Sequence, residues 1–181
     1  MEVVQAPDKR LRVQTKLVKK INPALLRTLN EMVKLTKTFK EPEGVGLAST
    51  QVGLEESFFV AKDDPPSPRL RREGEKFIKV INPKLLSSSK KTKNYFEGCL
   101  SVKDMWGEVK RHLSIKVSYQ DETGRVITKT LTGVLAWIFQ HEIDHLNGIL
   151  FSDRVLQQKG RFYRYTGKDK TGTDMFEEVT I

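Results

Sequence analysis

Apolar and polar positions repeat with two different periods along this chain, and the switches between them mark out its elements. Leu25, Leu26, Leu29, Met32, Val33 and Leu35 follow at mostly helical spacing. Asn22 can cap this helix, Pro23 suits its first position, and Pro42 should stop it after Phe39. Phe58–Ala61 and Phe77–Ile81 read as short strands, the second ended by Asn82-Pro83. The stretch 62–74, rich in proline and arginine, reads as an exposed loop, and 87–93 as a polar turn. His112–Gln120 alternates, with Leu113, Ile115, Val117 and Tyr119 on one face, as a half-buried strand does. Asp121–Gly124 then turns the chain into a second strand, Arg125–Leu131, giving a β-hairpin. Thr132 is the predicted cap of a helix over Gly133–Leu146, stopped by Asn147-Gly148. Ile149–Phe151 reads as a short buried segment, and the tail 161–181 as a hairpin around Gly167–Gly172.

This order of elements predicts an α+β fold. Antiparallel sheets should pack around the Gly133–Leu146 helix, with a second helix near the N-terminus. At 181 residues and 38% hydrophobic content, the chain suits one domain with its own core. We divide it into a main region, 1–156, and a C-terminal tail, 157–181.

Composition narrows the function classes. No apolar run approaches the ~20 residues of a membrane span, and Met1–Lys20 lacks the apolar core of a secretory signal. The single cysteine, Cys99, cannot form an internal disulfide, which suits a reducing, cytoplasmic compartment. A net charge of +9 suggests a polyanionic neighbour such as the ribosome. Basic residues are spread out, with modest clusters at Arg69–Arg72 and Lys90–Lys93. No zinc-finger spacing or RNA-recognition signature supports sequence-specific nucleic-acid binding.

The chemistry concentrates on the last long helix. His141-Glu142-Ile143-Asp144-His145 places two imidazoles four residues apart on one helix face, where both can bind one metal ion. Glu142, one step round the helix, can take a proton from a water at the metal's open position. The chain has three histidines, and two lie in this motif. A catalytic site of this type has three protein ligands, so a third is needed. The pattern H-E-x-x-H-x-x-G-x-x-H fails because position 151 is Phe151. Glu177 and Glu178 sit in a strand-like tail. Cys99 is the remaining soft ligand, and a thiolate with two imidazoles suits Zn²⁺, Fe²⁺ or Co²⁺. Two other readings stand beside this one: a zinc endopeptidase using a different third ligand, and a basic ribosome- or RNA-binding protein with a structural metal.

Three motifs together, Gly44-Val45-Gly46-Leu47-Ala48-Ser49-Thr50-Gln51, Glu97-Gly98-Cys99-Leu100-Ser101 and His141-Glu142-Ile143-Asp144-His145, resemble those of the peptide deformylases in order and spacing. The likeness covers about Val3 to Leu156. It implies removal of the formyl group from N-terminal formyl-methionine, with N-formylmethionyl peptides as substrates near the ribosomal exit tunnel. It also implies one divalent metal held by Cys99, His141 and His145, with Fe²⁺ the expected ion and Zn²⁺, Ni²⁺ or Co²⁺ as substitutes. Glu142 would act as general base, with Gln51 and the Leu100 N–H as oxyanion donors. Val45, Gly46, Glu97, Gly98, Val134 and Ile138 would contact substrate, with Trp137 and Tyr95 nearby. Glu97 and Asp144 are also candidates to orient the ligands. The chain departs from the family at Ser49, at Val102-Lys103-Asp104-Met105-Trp106-Gly107, where the family commonly has a Pro and then an Arg, and in the tail. The middle departure bears on substrate preference.

Overall fold

The structure, a computed structural model, describes residues 1–40, 43–63 and 76–180. Pro42 and the Arg69–Arg72 cluster lie outside the described residues. Among the described residues, nine strands form two antiparallel sheets. The first, in the order β1-β2-β3-β6-β7, comprises β1 (Gly46–Ala48), β2 (Phe58–Lys62), β3 (Phe77–Ser88), β6 (Ser114–Gln120) and β7 (Val126–Thr132). The second, in the order β4-β5-β8-β9, comprises β4 (Thr92–Cys99), β5 (Val102–His112), β8 (Phe162–Lys168) and β9 (Asp174–Val179). Helix α2 (Gly133–Leu146) packs against β1, β2, β6 and β7 of one sheet and β5 of the other. This is the predicted α+β arrangement.

Burial explains the sequence patterns. Strand β2 is buried along its whole length because both of its faces are covered. Phe59 and Ala61 join Ile115, Val117 and Phe139 of the cluster around α2. Phe58 and Val60 join Leu25, Leu29 and Met32 of α1 (Pro23–Thr38). At the start of α1, Asn22 Oδ1 accepts the Leu25 N–H at 2.9 Å, as its capping role requires. The β6–β7 hairpin closes in register from Ser114↔Thr132 to Gln120↔Val126. Nine of the fourteen α2 residues are buried, so α2 is a central helix rather than a surface one.

The sequence reading needs four corrections. Strand β3 does not end at Asn82-Pro83 but bulges there, with a register shift between Ile81 and Lys84. The bulge leaves the proline, which has no N–H, outside the ladder. Asn82 takes a φ of 52° and exchanges side-chain hydrogen bonds with the Val18 backbone at 2.8 and 3.0 Å. Second, β5 is a full strand, and His112 ends it instead of opening β6. Third, 149–151 is not an isolated buried segment: Phe151 starts helix α3 (Phe151–Gln157), which buries Phe151 and Val155 one turn apart. Fourth, Thr132 occupies the cap position of α2 but makes no side-chain capping bond. The C-terminal residues form the predicted hairpin, β8–β9, and β8 pairs with β5 through Trp106↔Tyr163. No described helix is long and apolar enough to cross a membrane.

Phe139 is fully buried on α2, with its ring edge-to-face on Phe59 at 5.0 Å and tilted on Tyr119 at 5.8 Å. Phe139→Ala should cost about 3–5 kcal/mol of stability, the range for emptying an aromatic core site. A denaturant titration of the metal-free protein measures this, and a loss under about 1 kcal/mol would contradict the central place of α2.

Candidate metal centre and cleft

The three candidate ligands come from two elements. His141 and His145 lie one turn apart on α2, with ring centroids 4.9 Å apart. Cys99 is the last residue of β4, where the strand turns into β5. The Cys99 Sγ lies 3.2 Å from His145 Nε2, and ligand atoms of all three residues lie within 4.8 Å of one another. Among the described residues no fourth His, Cys, Asp or Glu joins this group. Glu177 and Glu178 lie on β9, where Glu178 pairs with Arg161 at 3.3 Å. A structural metal site is normally closed by four protein ligands, so this set resembles an open, catalytic one.

A buried chain of charges holds the ligands. Glu97 Oε2 lies 2.9 Å from His141 Nδ1. An ionised carboxylate can only accept, so Nδ1 carries a proton and Nε2 is the atom left to face the centre. Arg111 donates to both oxygens of Glu97 at 2.7 and 2.9 Å, and to Asp144 Oδ2 at 2.5 Å. Arg154 donates to Asp144 from its other side, at 3.0 and 2.5 Å. Burial works to raise the Glu97 pKa, but the Arg111 and His141 bonds outweigh it and hold the carboxyl at about 2. Burial also pushes His145 well down, with the His141 and Arg111 charges acting the same way, so it stays the neutral imidazole a metal needs. For His141 burial is outweighed by the Cys99 and Glu97 contacts, which raise its pKa and favour a second proton, on Nε2; a bound cation takes the place of that Nε2 proton while Nδ1 keeps its own.

Glu142 has a different environment. Its Oε2 is buried without a hydrogen-bond partner. Burial raises its pKa to about 7, against the opposing charge on His141. Its Oε1 lies 2.2 Å from where a Cβ on Gly46 would sit, so only glycine leaves the carboxylate room there. A soft donor set with an adjacent, unsatisfied carboxylate fits a divalent metal and its attendant water.

A cleft of about 360 Å³ opens at this centre. Of the predicted substrate contacts, Val45, Gly46, Gly98, Val134 and Ile138 line it. Glu97 does not: its side chain is wholly buried beneath Arg111 and His141, and its place is behind the ligand. Asp144 is likewise buried and paired. Trp137 lines the cleft, with the Tyr95 ring stacked on it at 5.4 Å. His112 lies outside the cleft, its Nδ1 2.6 Å from the Ser89 carbonyl. Gln51 and Leu100 also line the cleft. The Gln51 Oε1 accepts the Ala48 N–H at 2.8 Å, and its Nε2 donates to Ser101 Oγ at 3.1 Å and reaches Cys99 Sγ at 3.4 Å.

Sequence reasoning missed two features. Trp106, on β5, forms part of the cleft wall. The N-terminal segment straps the site loops together. Val4 N–H donates to the Gln51 carbonyl at 2.8 Å, Gln5 Nε2 to the Leu100 carbonyl at 2.9 Å, and Ala6 N–H to the Ser101 carbonyl at 2.8 Å. No periodicity marks residues 4–6, because two of the three contacts run through the backbone and the third through a single polar side chain, Gln5.

Comparison with known proteins agrees with this geometry. The profile of the polypeptide deformylase family matches residues 1–161. Peptide deformylase of Thermotoga neapolitana is 40% identical over 152 residues, covering 84% of this chain and 85% of that protein. That of Agrobacterium fabrum is 38% identical over 155 residues, covering 84% and 85%. The crystal structure of a probable peptide deformylase from Synechococcus phage S-SSM7 superposes with a TM-score of 0.77 at 32% identity, covering 85% of this chain and 99% of that one.

The Glu97 ion pair should be visible in acid. Its folded pKa, about 2, lies below the ordinary 4.5, so its stabilisation is fully present above about pH 4.5 and is lost as pH falls toward 2. The amount is on the order of 3 kcal/mol. Unfolding midpoints of the metal-free protein should therefore drop across this window, and Glu97→Gln should flatten the drop. An unchanged acid profile in Glu97→Gln would refute the assignment.

Proposed function

The chain belongs to the polypeptide deformylase family, and on that basis we propose which of its residues hydrolyse the formyl group from the N-terminal methionine of nascent polypeptides. The convergence of the Cys99 sulfur with the His141 and His145 rings, beside an unpartnered Glu142 oxygen, is the observation that carries the assignment. Residues 1–156 supply the catalytic region, and 157–181 the tail that extends its second sheet.

Cys99, His141 and His145 hold one divalent cation, which we take to be Fe²⁺; Zn²⁺, Ni²⁺ or Co²⁺ suit the same donors. When bound, such a cation lowers the pKa of a coordinated water toward ~7 and polarises the formyl carbonyl. Glu142, with a pKa near neutrality, takes the proton from the attacking water and returns it to the leaving amine. The Gln51 amide and the Leu100 N–H donate to the formyl oxygen as charge develops on it, and one such donor is commonly worth about 3 kcal/mol of barrier. Glu97 keeps the His141 ring oriented and its Nε2 free. The apolar wall of α2, with Val134, Trp137 and Ile138, receives the methionine side chain. Strands β1 and β4 end their respective sheets, so each leaves one edge open for pairing with an extended peptide at Val45–Gly46 and at Gly98. The net charge of +9 supports work close to ribosomal RNA at the exit tunnel, and the lone thiol supports a reducing cytoplasm.

The test is anaerobic purification with metal analysis, followed by formate release from a formyl-methionyl peptide. Iron-loaded protein should turn over faster than zinc-loaded protein. Cys99→Ser should lose both metal and activity; keeping both would sink the ligand assignment. Glu142→Ala should keep its metal while kcat falls by ~10²–10⁴. Surviving turnover would remove Glu142 as the base.

A further inference from the structure

The second sheet carries an aromatic layer on the face of β4 opposite Cys99. Strand β4 alternates, with Glu97 and Cys99 buried on one side and Phe96 and Gly98 on the other. Gly98 pairs with Trp106 across β4 and β5, and a Cβ on Gly98 would lie 2.9 Å from the indole carbons. The indole therefore lies flat over the Gly98 backbone. It stacks on Phe96, with ring centroids 5.5 Å apart and planes 10° apart. The hairpin closes the layer: Phe176 packs edge-on against Phe96 at 4.8 Å and Trp106 at 5.3 Å, and Tyr163 meets Phe96 at 5.1 Å. Phe176 and Tyr163 both lie past residue 161, where the family match ends.

Trp106 also lines the cleft, and its cross-strand partner Gly98 immediately precedes Cys99. We propose that Trp106, held flat by Phe96 and by Phe176 of the C-terminal hairpin, is a specificity-determining wall that selects an apolar, above all aromatic, side chain at the residue following formyl-methionine. This rests on the site assignment above. An extended peptide sends successive side chains to opposite sides. With the methionine side chain against α2, the next one points away from that helix. The apolar cleft residues outside α2 are Val45, Leu100 and Trp106. Of these, Trp106 is the aromatic one, half-buried, and with Phe96 beside it at 38% exposure it makes that side of the cleft an aromatic surface.

Deformylation of formyl-Met-X-Ser peptides, with X as Ala, Glu, Leu or Phe, tests this. Wild-type enzyme should favour Phe over Ala and Glu by about tenfold in kcat/KM, the scale of one added aromatic contact. The difference should lie in KM, with kcat nearly constant across X, which distinguishes a binding wall from a general structural role. Trp106→Ala should level the X profile, and Trp106→Phe should retain most of it. Phe176→Ala, remote from the reacting atoms, should weaken the preference for Phe while leaving turnover of the Ala peptide at its wild-type rate. A level profile in the wild type would overturn the proposal. So would a Trp106→Ala profile parallel to the wild type, or a Phe176→Ala enzyme with unaltered selectivity. Absence of formate release from every peptide would instead overturn the underlying site assignment.

Discussion

One buried guanidinium constrains the rest of this structure. Arg111, 5% exposed, lies between Glu97 of β4 and Asp144 of α2, and Asp144 passes the connection on to Arg154 of α3. The second sheet, the central helix and the short third helix are therefore joined through charge beside His141, a proposed metal ligand. Such a network is a poor source of stability, because removing four charged groups from water offsets most of their attraction. An apolar replacement of equal volume could be as stable. What apolar packing could not do is keep a proton on Nδ1 of His141 and direct its Nε2 to the centre. The arrangement makes physical sense as orientation, and the stability of the sheets rests on the clusters around Phe59 and Leu29.

Two glycines complete the geometry from opposite sides. Gly46 brings the β1 backbone against the Glu142 carboxylate, and Gly98 lets the Trp106 ring lie on β4. Each is a point where the chain approaches a functional side chain more closely than any Cβ permits. They differ in what they admit. The first leaves a buried carboxylate oxygen without a protein partner, beside the proposed metal ligands. The second admits a flat aromatic surface at the cleft wall. The proposed base and the proposed substrate wall are thus each approached by a strand of a different sheet.

The legible parts of the sequence were those where one period dominates. The His141–His145 pair stood out because four-residue spacing and a capped apolar helix coincide. The β6–β7 hairpin stood out because Ile115, Val117 and Tyr119 alternate with polar residues around a short turn. Strand β5 did not, because its buried face carries Gly107, Val109 and Arg111, and only one of these is apolar. Glu97 reads as a residue that orients the ligands but also, because the extended Glu97–Gly98 segment can pair with a peptide backbone, as a substrate contact. Strand parity points the other way: Cys99 faces inward, so the residue two positions earlier does also. The arginine that neutralises Glu97 is fourteen residues away on the next strand, a distance no local pattern spans.

The N-terminal segment shows how far the site depends on contacts of that kind. Chain ends are usually the loosest part of a domain, yet residues 4–6 bond in succession to Gln51, Leu100 and Ser101. Gln51 follows a strand of the first sheet, and Leu100 and Ser101 form the turn between two strands of the second. The Thr50 hydroxyl in turn donates to the His145 carbonyl at 3.2 Å, connecting the same loop to α2. Neither sheet is hydrogen-bonded to the other strand by strand. The oxyanion donors proposed on Gln51 and Leu100 therefore keep a common distance through this strap. Small displacements between such donors weaken transition-state stabilisation steeply, so an extended segment, bonding through the Val4 and Ala6 N–H groups and the Gln5 side-chain amide, supports the geometry of the proposed donors.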